Sequence, residues 1–135
     1  MIVLCCGVFD VLHAGHVQLL RQAAGMGERL VVGINSDASA AALGKGPGRP
    51  YNTAEDRAAV LLALRMVDRV IVFDDPTPEA LIRLVRPAVY VKGGDYTAEA
   101  LPEALAVHDV GGAICILPLL EGRSSTATLR RMGVE

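Results

Sequence analysis

The sequence predicts an α/β fold in which an open parallel sheet of about five strands carries helices on both faces. Two features support this prediction: short runs of branched aliphatic residues alternate with segments of helical character, and the alternation recurs along the chain. The runs are continuously apolar, which is typical of strands covered on both faces. In such sheets ligands bind beyond the carboxyl ends of the strands, so the residues that follow each strand are the first candidates for a functional site.

The apolar runs and the helical segments can be placed by residue number. Strands are predicted at residues 2–6, 30–34, 70–73, 89–92 and 113–117. Helices are predicted at residues 15–25, 53–66, 77–85, 98–107 and 124–132. Thr53 and Thr77 each precede acidic residues in the manner of an N-terminal cap, and Pro87 stops the helix that Thr77 begins. We expect these elements to form one domain over residues 1–135.

Residues 36–52 break this alternation. They carry glycines and prolines around Lys45 and Arg49 and show no apolar periodicity. A loop of this length in a compact domain is usually functional. We therefore predict a mobile loop that contacts the substrate.

Composition limits the class of protein. The chain has 135 residues, of which 52% are hydrophobic and 21% are charged, enough to bury one core. The net charge of −2 removes any charge-driven argument for binding nucleic acid or an anionic membrane. No apolar run reaches the roughly 20 residues that span a bilayer. Cys5, Cys6 and Cys115 are an odd set for disulfides, so we expect buried free thiols and a cytoplasmic protein.

The first predicted strand leads through Asp10 to His13-Ala14-Gly15-His16, where a helix is expected to begin. A helix N-terminus presents unpaired N–H groups and the positive end of the helix dipole, so it binds phosphate readily. Histidines at this spacing can donate to one anion, and Gly15 lets a ligand approach the backbone. Two alternatives stay open: a zinc site, which would need ligands besides the histidines and Asp10, and a helix cap without a ligand.

Lys45 and Lys92 are the two lysines of the chain, and each adjoins a glycine in a predicted loop or strand end. Lys45 is the better candidate to reach a phosphate as a point charge, with a solvated loop charge as the alternative. Arg49 and Arg57 are candidates to assist it in binding the substrate. Arg57 can equally lie on an exposed helix face.

Two further segments follow a predicted strand or begin a predicted helix. Residues 92–96 come at the end of the fourth strand, and their glycines permit a tight turn or the close approach of a ligand. The alternative is a simple turn in which Asp95 caps the next helix. Residues 124–126 each carry a hydroxyl at the start of the last helix, where they can donate to phosphate oxygens or act as caps alone.

The stretch GVFDVLHAGH at residues 7–16 resembles the HxGH signature of the cytidylyltransferase-like nucleotidyltransferases. The resemblance continues through GINSD at 33–37, KGPGRP at 45–50, VKGGDY at 91–96 and EGRSST at 121–126. In this order the motifs are most similar to the adenylyltransferase branch of ADP-heptose synthesis, which transfers AMP from ATP to a heptose 1-phosphate. The resemblance implies a Rossmann-like fold.

The resemblance also implies roles for individual positions. His13, His16 and Lys45 would be catalytic, and Arg49 and Arg57 would bind the substrate. The nucleotide-binding positions would be Gly7, Val8, Phe9, Asp10, Gly15, Lys92, Gly94, Asp95, Glu121, Arg123, Ser124, Ser125 and Thr126. Mg²⁺ would be carried by the nucleotide and not by protein ligands. The resemblance further implies a homodimer, for which residues 65–69 are a candidate contact.

The expected reaction is attack of the acceptor's phosphate on the α-phosphorus of a nucleoside triphosphate, with release of pyrophosphate. Because the acceptor is already an anion, no general base is needed, and alignment and charge neutralisation are what the protein supplies. Two alternatives stay open. One is a CTP-dependent cytidylyltransferase acting on glycerol 3-phosphate or a similar polyol phosphate, and the other is a non-catalytic nucleotide-binding module.

Overall fold

A computed structural model describes residues 1–44, 46, 48–118 and 124–133, without the side chain of Ser125. Five strands form one sheet. They are β1 (Ile2–Gly7), β2 (Arg29–Asn35), β3 (Arg69–Phe73), β4 (Val89–Gly93) and β5 (Ala113–Leu117). All four neighbouring pairs are parallel and the order is β3-β2-β1-β4-β5. The predicted open parallel sheet is confirmed.

Helices connect and follow the strands. They are α1 (Ala14–Ala24), α2 (Asp37–Ala42), α3 (Ala54–Leu62), α4 (Glu79–Val85), α5 (Ala104–Asp109) and α6 (Ser125–Arg131), with a 3₁₀ turn at Ala98–Ala100. No helix in the described part of the chain is both long enough and apolar enough to cross a bilayer.

Three helix predictions need correction. The stretch 36–52 is not entirely loop, because Ser36 caps α2 by accepting from the Ser39 N–H at 3.2 Å, and alanines continue the helix. The single helix predicted at 98–107 is a 3₁₀ turn followed by α5, since Pro102 cannot continue the first turn. Thr77 caps nothing: the N-cap of α4 is Pro78, without a side-chain cap bond. The Thr53 cap is confirmed, with its hydroxyl accepting from the Asp56 N–H.

The core lies in two layers, one on each face of the sheet. One cluster joins Val3, Val32 and other residues of the sheet to Leu20 of α1 and Leu61 of α3. The second joins Leu4, Val31 and Tyr90 to residues of α4 and α5. Apolar side chains therefore cover both faces, as the continuous runs predicted.

The three cysteines are free. Cys5 is buried, and Cys6 and Cys115 are half-buried. Burial raises the pKa of the Cys5 thiol to about 12 and also raises that of Cys6. Both thiols are therefore neutral and poorly nucleophilic near neutral pH.

The strand order places the site. From β1 at the centre, β2 and β3 extend the sheet to one side and β4 and β5 to the other. The topological switch point thus lies between β1 and β4, and a crevice is expected beyond their carboxyl ends. The histidine motif follows β1, and Lys92 lies near the end of β4.

Candidate active site

The two histidines form the N-terminal cap of α1. His13 is the N-cap residue, and its Nδ1 accepts from the Gly15 N–H at 3.0 Å, while the His16 Nδ1 accepts from the His13 N–H at 3.3 Å. This is a reciprocal capping box built from imidazoles. Because each Nδ1 is an acceptor, a neutral ring carries its proton on Nε2, which is then a donor. The cap alternative and the anion-binding interpretation are therefore compatible.

Aromatic packing orients these rings. The His13 and His16 imidazoles stack with centroids 3.8 Å apart, and the ring of Phe9 meets His16 edge-on at 5.2 Å. Phe9 has a positive φ of 51°, a backbone conformation that residues other than glycine rarely adopt. A Cβ on Gly7 would lie 3.0 Å from this ring. The turn after β1 is therefore shaped to place the Phe9 ring against His16.

A cleft of about 460 Å³ opens at this edge of the sheet. Its size lies in the range of small-molecule sites. Its lining comes from β1 and the turn after it, from α1, from the ends of β2 and β4, from α2, from the segments before α3 and α4, and from the start of α6. The residues are Cys6, Gly7, Val8, Phe9, Asp10, His13, His16, Leu19, Asn35, Ala40, Leu43, Arg49, Pro50, Pro76, Pro78, Lys92, Gly93, Tyr96, Ser124 and Thr126.

Asp10 fixes the end of the loop that precedes α3. Its Oδ2 accepts from the Tyr51 N–H at 2.7 Å and its Oδ1 from the Asn52 N–H at 2.9 Å. The Asn52 side chain donates back to the Asp10 carbonyl at 2.8 Å. Both carboxylate oxygens are thus engaged by backbone amides, and Asp10 positions the loop.

Arg57 is a buried scaffold residue, which corrects the expectation that it contacts the substrate or lies on an exposed face. Its side chain has 0% exposure. The guanidinium donates to the carbonyls of Val8, Asn35 and Asn52 at 2.8–3.0 Å and pairs with Asp37 at 2.9 Å. It therefore ties the ends of β1 and β2 to the start of α3.

The start of α6 and the loop form a second wall of the cleft. Ser124 caps α6 by accepting from the Ala127 N–H at 2.9 Å, and its own proton can still be donated. Arg49 donates through Nη2 to the Thr126 hydroxyl at 3.2 Å and lies 5.8 Å from the centre of the Tyr51 ring. Arg49 thereby links the loop to α6.

The segment after β4 lies between the cleft and a second recess of about 420 Å³. Lys92 and Tyr96 line both spaces, whereas Asp95 lines the second alone. Gly94 has a φ of +130°, and a Cβ there would lie 2.8 Å from the Tyr96 ring, so glycine is required. Asp95 makes no side-chain cap of the following 3₁₀ turn.

The structure brings most of the predicted residues together. The described ones that line the cleft are Gly7, Val8, Phe9, Asp10, His13, His16, Arg49, Lys92, Ser124 and Thr126. Gly15 is buried within α1, Asp95 lines the second recess, and Gly94 lies in the turn after β4 and lines neither space. Lys45, Glu121, Arg123 and the Ser125 side chain lie outside the described residues.

Sequence reasoning missed three polar residues. Asn35 ends β2 at the ligand edge, a position that could have been recognised from the predicted strand end. Asn52 holds Asp10, and Glu103 is 2% exposed beside Lys92. The last two depend on contacts between distant segments and leave no local signal in the sequence.

The described residues hold no group of three or more His, Cys, Asp or Glu side chains placed to bind a metal ion. The carboxylate of Asp10, the acidic group next to the histidine motif, accepts from two backbone N–H groups. Both oxygens of this carboxylate are therefore engaged by the backbone.

Residues 4–118 match the model of the cytidylyltransferase-like family. The chain is 56% identical over 125 residues to the bifunctional protein HldE of Streptomyces coelicolor, covering 93% of this chain and 27% of that protein. It is 49% identical over 126 residues to the HldE protein of Mesorhizobium japonicum, covering 93% of this chain and 25% of that protein. The chain thus spans about a quarter of the length of these relatives.

Solved structures agree with the fold. A lipopolysaccharide core biosynthesis protein from Thermoplasma volcanium superposes with a TM-score of 0.72 at 28% identity, covering 89% of this chain and 96% of that one. A pantoate-beta-alanine ligase from Francisella tularensis reaches 0.56 at 14% identity, covering 93% of this chain and 60% of that one, which shows the fold alone. With a Rossmann-like parallel sheet, imidazoles capping α1 at its ligand edge and a family match over most of its length, the chain belongs to the cytidylyltransferase-like family.

Proposed function

We propose that this chain is a nucleotidyltransferase that transfers AMP from ATP to a heptose 1-phosphate and releases pyrophosphate. The observation that carries the proposal is the cleft in which the imidazole pair of α1 and the hydroxyls of α6 line one space with Lys92. Relatives named bifunctional protein HldE support the assignment. The motifs similar to the adenylyltransferases of ADP-heptose synthesis support the choice of ATP and a heptose phosphate.

The chemistry requires alignment more than proton transfer. An oxygen of the acceptor's phosphate forms a bond to the α-phosphorus, and the bond from that phosphorus to the oxygen bridging to the β-phosphate breaks. The electron pair leaves with pyrophosphate, and no proton need be removed from the acceptor. The residues of the cleft therefore have to hold the two anions in line and neutralise the charge that grows on the leaving group.

His13 and His16 would supply the donors for this charge. Each Nδ1 is held by a backbone N–H, which fixes the ring and leaves Nε2–H as the donating atom. Ser124 and Thr126 would donate to the triphosphate from the start of α6, and Lys45 from the loop would add a cation. Mg²⁺ on the phosphate oxygens would neutralise further charge.

A screen of acceptors and nucleotides tests the proposal. Heptose 1-phosphates, other sugar 1-phosphates and glycerol 3-phosphate are each incubated with ATP or CTP and Mg²⁺, and pyrophosphate is measured. We expect the highest kcat/KM with ATP and a heptose 1-phosphate.

The outcomes separate the competing functions. A preference for CTP with glycerol 3-phosphate would replace the proposal by a cytidylyltransferase, a candidate favoured by the description of the matching family. Tight ATP binding without pyrophosphate release from any acceptor would indicate a non-catalytic module.

A homodimer and a cytoplasmic location stay predictions. Val60 and Leu62 of α3 and Val72 of the edge strand β3 are exposed apolar side chains that flank residues 65–69. We propose that a second copy covers them. Light scattering that shows a monomer at micromolar concentration would contradict the dimer.

A further inference from the structure

Lys92 stands at the wall shared by the cleft and the second recess, and its ionic partner lies deeper in the protein. Its Nζ is 3.4 Å from Glu103 Oε2 and 5.1 Å from the centroid of the Tyr96 ring. The Lys92 side chain is 25% exposed, whereas that of Glu103 is 2% exposed. The carboxylate is therefore the more enclosed member of the pair, and Glu103 lines the second recess together with Lys92.

Glu103 is itself fixed by Tyr90. The Tyr90 hydroxyl donates to the same Oε2 at 2.6 Å. Tyr90 and Lys92 are two residues apart on β4, so both point to the same face of the sheet. Burial raises the pKa of the Tyr90 hydroxyl, which keeps its proton available for this bond. Glu103 is the N-cap residue of α5, yet its side chain makes no cap bond and turns to these two partners instead.

This arrangement restricts Lys92. A buried carboxylate without a partner is costly, so Glu103 holds the ammonium close. A lysine side chain is otherwise flexible, and a group that is already placed loses less freedom when a ligand binds. The ammonium has three N–H donors, so a bond to Glu103 leaves donors for a ligand.

We infer that Glu103 is a positioning residue: anchored by Tyr90, it keeps Lys92 at the junction of the two recesses, where Lys92 binds the phosphate of the acceptor. The inference rests on the proposed function, in which the acceptor phosphate must meet the nucleotide beside the histidines. Lys92 lines both spaces, as that junction requires, and we assign it to the acceptor instead of the nucleotide-binding role that the resemblance implied. Thr77, Asp95 and Thr97 line the second recess and supply polar groups for the hydroxyls of a polyol.

Glu103→Gln tests the role of the charge. Glutamine keeps the size of the side chain and an oxygen for Tyr90 but loses the attraction for Lys92. We expect the KM for the sugar phosphate to rise about tenfold while the KM for ATP changes by less than about twofold. Tyr90→Phe should shift the same KM in the same direction by a smaller factor. Asp109→Asn, on α5 and outside both recesses, is the matched control and should change neither KM.

A double variant shows whether Glu103 acts through Lys92. Lys92→Met should raise the KM for the sugar phosphate more than Glu103→Gln does. Adding Glu103→Gln to Lys92→Met should then have no further effect on that KM. Additive effects, or an equal rise in the KM for ATP and for the sugar phosphate, would overturn the inference.

A binding measurement separates this inference from the proposed function. With two lysines in the chain, ¹³C-labelled lysine gives two Cε signals in NMR spectra without altering the ammonium groups, and Lys92→Met assigns them. Inorganic phosphate should shift the Lys92 signal with about tenfold lower affinity in Glu103→Gln than in the unchanged sequence. Equal affinities would overturn the role of Glu103. Absence of pyrophosphate release with every acceptor would overturn the proposed function and leave this result standing.

Discussion

The carboxyl edge of the sheet and the outer face of α4 and α5 carry the same residue types in different surroundings. At the edge, Arg57 and Asp37 pair at 2.9 Å with side chains 0% and 53% exposed. On the outer face, Arg83 and Asp109 pair at 2.8 Å with side chains 45% and 46% exposed. The distances are nearly equal, but only Arg57 also donates to three buried or half-buried carbonyls.

The difference shows that burial and the number of hydrogen bonds, and not the distance between charges, decide what an ion pair does. An exposed pair is screened by water and contributes little to stability. A fully enclosed guanidinium that donates to several backbone carbonyls organises the backbone around it. Here that backbone includes the end of β1, from which the histidine turn starts.

The largest contrast is expected between the two arginines. Arg57→Met should lower the free energy of unfolding by about 3–5 kcal/mol, because it removes the enclosed guanidinium that donates to three backbone carbonyls. Arg83→Met should cost less than about 1 kcal/mol. Urea unfolding followed by circular dichroism measures both. Arg57→Lys, which retains the charge and loses the planar fork, should recover part of the loss. Equal losses at Arg57 and Arg83 would contradict the comparison.

A second comparison sets His16, in the cleft, against His108, on the surface, and the quantity compared is kcat. His16→Ala should lower kcat at least about 10²-fold, since one donor to the phosphates is worth about 3–4 kcal/mol in the transition state. His108 is an exposed residue of α5, and His108→Ala should leave kcat unchanged. Pyrophosphate release measures the rates, and circular dichroism confirms that both variants are folded. A folded His16→Ala protein with near-normal turnover would remove His16 from the site.

The smallest contrast is expected between two aspartates. Asp10→Asn replaces one of two accepting oxygens by an NH₂ group that faces a backbone N–H, and should cost about 1–3 kcal/mol of stability. Asp109→Asn should cost less than about 1 kcal/mol. The midpoints of urea unfolding measure the difference. If both midpoints shift by the same amount, Asp10 does not hold the loop in solution.

The strands could be predicted from the sequence because each is a continuous run of apolar residues. The apolar side chains of a run drive its burial, so the signal lies within the strand itself. The imidazole cap of α1 could also be predicted, because the His13 and His16 contacts span three residues or fewer. The helix at 37–42 was missed because its alanines lie beside glycines and prolines that mark a loop. Its cap at Ser36 is a local signal that could have revealed it.

The roles of the charged residues away from the histidine motif could not be predicted from local sequence signals. Arg57 and Lys92 are both cations near candidate ligand positions in the sequence, yet one is buried as scaffold and the other lines two recesses. Nothing within a few residues of either distinguishes them. The partners that do so, Val8 and Asn35 for Arg57 and Glu103 for Lys92, are 11 to 49 residues distant.

The order of short-range signals along the chain determined the parallel sheet, the ligand edge and the imidazole cap, because hydrophobic periodicity and capping act between near neighbours. Which charged side chain faces solvent and which is enclosed was decided only when distant strand ends met. The free energy of a charge depends on the water it loses and the donors or acceptors it gains, and both are properties of the folded surroundings.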